Sequence, residues 1–254
     1  MRSQPLWIIG APRSGTTFLA AVLNRHPMIT VTNESRIFVL LKQLLEEGCA
    51  DPEFLDQDHR ERFTGFLKRE AGALVERYYR EELGVTTPVW GDKHPPYADP
   101  TVLSGRAGAK PLLPVSGSCL GLIREVLPES KFIHIHREPA EVAYSLNRKG
   151  WVPSVADGMA VWRQYVREID GFFSEVDAGR RLVIAYADLL EEPDETVAAI
   201  ARFLGLPDGQ AMAMFLKAQH QAPTPFSTPV RDLDAVYGAR APLRLDAEPE
   251  RRAS

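Results

Sequence analysis

The chain opens with a short continuous apolar run, Leu6-Trp7-Ile8-Ile9, stopped by Gly10. A run of that length with no polar alternation predicts a strand covered on both faces, as in a parallel sheet. From Thr17 to Asn24 the apolar residues Phe18, Leu19, Val22 and Leu23 fall at helical spacing, and Met28 to Thr32 reads as a second strand. A strand–loop–helix–strand opening predicts a doubly wound α/β fold, with a mainly parallel central sheet flanked by helices in a single domain. Further along, helices are expected over Ile37 to Glu47, Glu61 to Glu82, Cys119 to Val126, Ala140 to Arg148, Ala156 to Val176 and Asp194 to Leu204. Strands are expected at Val89-Trp90, at Lys131 to His136 and, as the last core strand, at Leu182 to Tyr186. Gly105 to Ser118, rich in Gly, Pro and Ala, reads as a loop or lid. From Ala222 the composition turns to Pro, Asp and Arg, so a domain over residues 1–222 and an irregular, partly disordered extension over 223–254 are expected.

Composition narrows the function classes. The 254 residues are 44% hydrophobic and 25% charged, with a formal net charge of −4. Such a balance gives no global attraction to nucleic acid or to an anionic membrane, so an anionic ligand must be held by a local cluster. Cys49 and Cys119 lack metal-ligand spacing and read most simply as reduced thiols, with a pairing of the two as the alternative, and no metal site is expected. With no secretory signal and no apolar stretch long enough to span a bilayer, a cytoplasmic protein is expected.

The first chemical motif is Gly10-Ala-Pro-Arg-Ser-Gly15-Thr16-Thr17, between the first strand and the first helix. Its two glycines let consecutive backbone N–H groups, Ser14, Thr16 and Thr17 among them, converge on one anion at a helix N-terminus. The spacing matches the nucleotide-binding P-loop, except that Thr16 stands where its lysine belongs and the basic residue is Arg13 inside the loop. Without that lysine, the loop is poorly equipped to neutralise β- and γ-phosphates with Mg²⁺. An arginine in the loop suits a 5′-phosphate carrying a singly charged sulfuryl group. Ala11 to Leu19 resembles the 5′-phosphosulfate loop of sulfotransferases that use 3′-phosphoadenosine 5′-phosphosulfate (PAPS), closest in motif to the tyrosylprotein, heparan-type and bacterial members.

A second anchor follows the strand Lys131 to His136. Arg137 leaves its C-terminal edge, where ligands bind in open α/β sheets, and Ser145 lies eight residues on, about two helical turns away. An arginine fork with a hydroxyl can dock a 3′-phosphate, although Arg137 can equally pair with Glu141. The spacing resembles the sulfotransferase 3′-phosphate motif. Val183 to Leu190 resembles the later strand and turn of that family, which implies Tyr186 near the adenine; a packed core tyrosine is the alternative.

For chemistry, transfer of a sulfuryl group needs in-line positioning, a base for the acceptor proton and positive charge at the leaving phosphate. Glu34, just past the second strand, can serve as base if burial raises its pKa, with Arg36 orienting it or binding the acceptor. The segment resembles the base-carrying stretch of the tyrosylprotein and heparan-type enzymes. In Gly91-Asp92-Lys93-His94, Lys93 resembles the family lysine at the bridging oxygen, whereas His94 resembles the histidine base of the cytosolic enzymes. The choice between Glu34 and His94 stays open, with Glu34 closer to its motif. No Gly- and Lys-rich C-terminal nucleotide loop is found; Thr224 to Arg231 stands in its place, with Arg231 a candidate contact to the 3′-phosphate. The resemblance implies a PAPS-dependent transferase with no metal requirement, acting on a small-molecule, glycan or peptide hydroxyl, or an amine. The competing readings are a P-loop phosphotransferase and a non-catalytic nucleotide-binding module.

Overall fold

In the computed structural model, the residues that can be described are 3–45, 56–100 and 117–221. Five strands, β1 (Gln4–Ile9), β2 (Ile29–Asn33), β3 (Val89–Lys93), β4 (Lys131–His136) and β5 (Arg181–Ala185), form one sheet in the order β2-β3-β1-β4-β5. Every pairing is parallel, with Trp7 opposite both Asp92 and Phe132. Consecutive strands must therefore be joined by crossovers, to which the helices contribute.

The apolar run of β1 is central and fully buried because both faces are covered. Trp7 and Ile9 point into one core with Phe38, Val75, Tyr79, Trp90, Phe132 and Phe172. Leu6 and Ile8 point into the other with Leu19, Val22, Ile133, Ile135, Ile200 and Met212. The period of two along the strand divides its side chains between these layers. Helices α2 (Ile37–Gln43), α3 (Gln57–Arg77), α4 (Leu120–Val126), α5 (Pro139–Arg148) and α6 (Val155–Ser174) contribute to the first layer. Helices α1 (Thr16–Leu23), α7 (Tyr186–Glu191), α8 (Pro193–Leu204) and α9 (Gln210–Gln221) contribute to the second. The indole of Trp7, buried in the middle, keeps its polar edge satisfied by donating to Ser130 Oγ at 2.8 Å.

The doubly wound parallel sheet matches expectation, with local differences. β3 extends past Trp90 to Lys93, so Asp92 and Lys93 sit on a strand rather than in a loop. Tyr186 does not end a strand; it is the first residue of α7. α9 was not anticipated, and the last turn of the long helix, Tyr78–Glu82, is π-helical. Residues 105–116 of the expected lid, Arg231 and the C-terminal extension lie outside the described residues. No described helix is long and apolar enough to cross a membrane.

The order of the strands decides where a site can form. The chain runs from β1 outward to β2, back to β3, then across β1 to β4 and β5. The loops after β1 and β4 thus diverge at the switch point, opening a crevice at the carboxyl edge.

Candidate active site

After β1, three residues with positive φ shape the loop: Gly10 (157°), Arg13 (75°) and Gly15 (100°). A Cβ on Gly10 would lie 2.5 Å from the Ile135 carbonyl oxygen, and one on Gly15 would lie 2.3 Å from Cδ2 of Tyr186. The first glycine lets the loop press against β4, and the second lets it press against the start of α7. Ser14 N–H closes a turn onto Ala11 O at 3.1 Å. Its hydroxyl is 1% exposed and has no hydrogen-bond partner. A buried hydroxyl without a partner, beside the unpaired N–H groups of a helix start, can donate to an acceptor atom such as a phosphate oxygen.

The loop meets the second anchor directly. Arg13 Nε donates to Ser145 Oγ at 3.0 Å, across 132 residues of sequence. Arg137 lies with its guanidinium carbon 4.5 Å from the centre of the Tyr186 ring, and its Nε donates to Glu141 Oε2 at 2.5 Å. The ion pair foreseen for Arg137 is therefore formed, one helical turn along α5, while the same guanidinium stacks on the tyrosine that backs Gly15. Burial pushes the Tyr186 phenol up; the charge of Arg137 pulls it down, against Glu141. Thr16 is buried behind the loop and Thr17 is exposed.

The second cluster stands at the ends of β2 and β3. Lys93, 2% exposed, donates through Nζ to Glu34 Oε1 at 2.9 Å, while the Glu34 side chain is 49% exposed. The Glu34 N–H donates to Lys93 O at 3.0 Å, carrying the strand ladder one residue beyond Asn33. Glu34 and Arg36 both adopt left-handed backbone, at φ 60° and 61°. Such conformations cost a non-glycine residue about 1 kcal/mol or more and persist only where surrounding contacts fix them.

The condition attached to Glu34 as base, that burial raise its pKa, is not met while Lys93 is paired with it. Burial does push it up, but the hydrogen bond and charge of Lys93, with His94 and Arg36, outweigh that and hold it below the ordinary carboxylate value. His94 is driven the other way by burial, to about 4, although Asp92 and Glu34 pull it up. It is neutral near pH 7, packed edge-on against Tyr97 at 4.7 Å, with Nδ1 unpartnered.

Sequence reasoning missed the group behind this cluster. Asp92, 0% exposed, accepts from Thr32 Oγ1 at 2.9 Å and Tyr97 OH at 3.0 Å. It also accepts from Ser35 N–H at 3.0 Å and Ser35 Oγ at 2.8 Å. A buried carboxylate demands such partners; with the strand expected only to Trp90, nothing local marked Asp92 as buried. Among the described residues, no group of three or more His, Cys, Asp or Glu could hold a metal ion.

Fold and site together define an α/β protein with a glycine-bent strand–loop–helix at its switch point, an arginine turn after β4 on one side of it and Lys93 of β3, paired with Glu34, on the other. The chain belongs to the sulfotransferase family, whose model matches residues 5–210. A putative protein-tyrosine sulfotransferase of Caenorhabditis briggsae is 25% identical over 219 residues, which is 82% of this chain and 68% of that protein. An uncharacterized protein of Aquifex aeolicus is 23% identical over 233 residues, 87% of this chain, and the chain spans only 28% of that relative's length. The solved sulfotransferase domain from the Synechococcus PCC 7002 olefin synthase shares the fold, with a TM-score of 0.59 at 21% identity, covering 92% of this chain and 82% of that one.

Proposed function

We propose that the chain moves the sulfuryl group of PAPS onto an acceptor hydroxyl, with Glu34 as base. The observation that carries this reading is the 3.0 Å hydrogen bond from Arg13 to Ser145, which joins the two anion-binding segments into one crevice. Around it, Ser14 and the N–H groups of Thr16 and Thr17 receive the 5′-phosphate. Arg137 and Ser145 hold the 3′-phosphate, and Tyr186 backs the adenine. No observation favours transfer from ATP, since Thr16 occupies the lysine position.

Lys93 links binding to chemistry. Its ammonium rests on Glu34 and depresses that carboxylate. When Lys93 turns to the oxygen that leaves with the nucleotide, Glu34 loses the hydrogen bond and the nearest charge that depress it, and its basicity rises. The acceptor oxygen then attacks sulfur, the bridging S–O bond breaks with its electrons passing to the phosphate, and Glu34 takes the acceptor proton. Glu34 is preferred over His94 because it is half-exposed, whereas His94 is 2% exposed.

The test has two parts. Without added metal, 3′-phosphoadenosine 5′-phosphate (PAP) should raise the melting temperature while ATP with Mg²⁺ does little. In a screen of hydroxylated acceptors with labelled PAPS, Glu34→Gln should lose about 100-fold or more in turnover and His94→Asn much less. Equal shifts by both nucleotides would defeat the donor assignment. Full turnover in Glu34→Gln with loss in His94→Asn would move the base to His94.

A further inference from the structure

We infer that Asp92 is a positioning residue for the transfer reaction, holding the Glu34–Arg36 turn in its strained form from beneath the sheet edge; this rests on the reading of Glu34 as base. The turn consists of two left-handed residues flanking one ordinary residue, Ser35. Ser35 is the point at which it is tied down, since both its N–H and its hydroxyl donate to Asp92 Oδ2, at 3.0 and 2.8 Å. The other two donors come from different elements: Thr32 on β2, which faces Asp92 in the strand register, and Tyr97 in the 3₁₀ turn after His94. One carboxylate therefore pins β2, the base-carrying turn and the segment following Lys93 to a single point.

All four donors to Asp92 are neutral, so the charges acting on Glu34 are those of Lys93, which also hydrogen-bonds it, of His94 and of Arg36 on the turn itself. Asp92 and Lys93 are neighbours on β3 with side chains on opposite sides of the strand. Asp92 reaches down to Ser35, and Lys93 reaches Glu34 at 2.9 Å. The two residues grip the same turn through adjacent side chains. Releasing the lower grip lets Glu34 and Arg36 relax out of left-handed backbone and withdraws the carboxylate from Lys93. Asp92 is thus placed to act on the reaction through Glu34 without touching either substrate.

The experiment follows the Glu34 carboxylate directly, by carbon-13 NMR titration of selectively labelled protein, in the wild type, Asp92→Asn and Ser35→Ala. Wild-type Glu34 titrates below the ordinary carboxylate value. In both variants its pKa should move upward as the Lys93 contact is lost, while PAP affinity stays within about 3-fold. The direction is diagnostic, because deleting a nearby negative charge would by itself lower a carboxylate's pKa. Ser35→Ala removes no charge and serves if Asp92→Asn fails to fold. An unchanged Glu34 titration in the folded variants overturns the proposal, as does loss of PAP binding in parallel.

Single-turnover release of labelled sulfate from PAPS, with water in the acceptor's place, separates the two claims. Asp92→Asn should slow release about 10-fold or more, and the Asp92→Asn, Glu34→Gln double variant should be no slower than Glu34→Gln alone. Additive losses overturn positioning through Glu34. Wild-type release by Glu34→Gln overturns the choice of base, while the titration still decides whether Asp92 holds the turn.

Discussion

At the ends of β1 and β4, Ser14 is buried without a partner and Arg137 is held by Glu141 in the first turn of α5. At the ends of β2 and β3, by contrast, Asp92 gathers four hydrogen bonds and Lys93 is sealed against Glu34. The first region is polar and incomplete. The second is complete, with His94 Nδ1 as its exception. The difference fits the roles proposed for the two regions. A binding region for a multiply charged nucleotide leaves donors uncommitted, because the ligand supplies the missing acceptors. A region that must place charge at a reacting atom has to be organised before the ligand arrives, since reorganisation during the reaction would add to the barrier.

The largest effect should come from the organised side. Lys93→Met keeps much of the stem's bulk and removes the charge, so turnover should fall on the order of 100- to 1000-fold. Nucleotide affinity, measured by calorimetry with PAP, should change by only a few-fold. A collapse of PAP affinity in this variant would mean that the two regions are one binding site and the contrast is false.

On the incomplete side two substitutions should pull in opposite directions. Arg137→Ala should weaken PAP binding about 10- to 100-fold, the worth of a lost charge-assisted phosphate contact. Glu141→Gln removes the carboxylate that occupies Arg137 in the free protein and should tighten PAP by several-fold. If Glu141→Gln weakens binding instead, the 2.5 Å pair is a support for Arg137 and not a stand-in for phosphate.

What could be read in the sequence sorts along the same divide. The β1 loop and the Arg137-to-Ser145 spacing are local patterns, each contained in one strand–loop–helix unit, and the glycines and helical periodicity announce them. Asp92 was not legible, because Thr32, Ser35 and Tyr97 reach it only through the β2–β3 register and the turn after Lys93. The Glu34 pKa failed for the same reason: burial could be anticipated, but the lysine that overrides it lies 59 residues away. Tyr186 was read one element too early because a β-type apolar run continues into the first turn of α7. α9 was legible and went unread: Met212, Phe215 and Leu216 fall at helical spacing and face the core, and Asp208 accepts from Gln210 N–H at its start; its place is set by packing against α1 and α8.

Acid should probe stability beneath both regions. Burial lowers His94 to about 4 and His134 to about 3, the latter helped by the charge of His136. Both stay neutral in the folded state while the unfolded chain takes up protons near pH 6.5. Folding stability therefore falls as pH drops below that value and continues to fall until the folded groups protonate. At pH 5 this amounts to about 2 kcal/mol per histidine. Urea unfolding at pH 7.5 and pH 5 should show the loss, and His134→Leu should remove the β4 share while leaving that of His94. A flat profile would mean these rings are charged or solvated in the fold.

The smallest effect asks whether the organised side holds its strain for function. Arg36 sits at φ 61° at the N-terminal cap of α2, and its side chain makes no capping hydrogen bond. Arg36→Gly relieves the left-handed penalty of about 1 kcal/mol, partly offset by the greater freedom of glycine in the unfolded chain. Stability should therefore hold or rise slightly, while turnover falls several-fold because the cation beside Glu34 is gone. A variant that is both less active and less stable by more than about 1 kcal/mol would give Arg36 a structural role, and the strain at that turn would then need another cause.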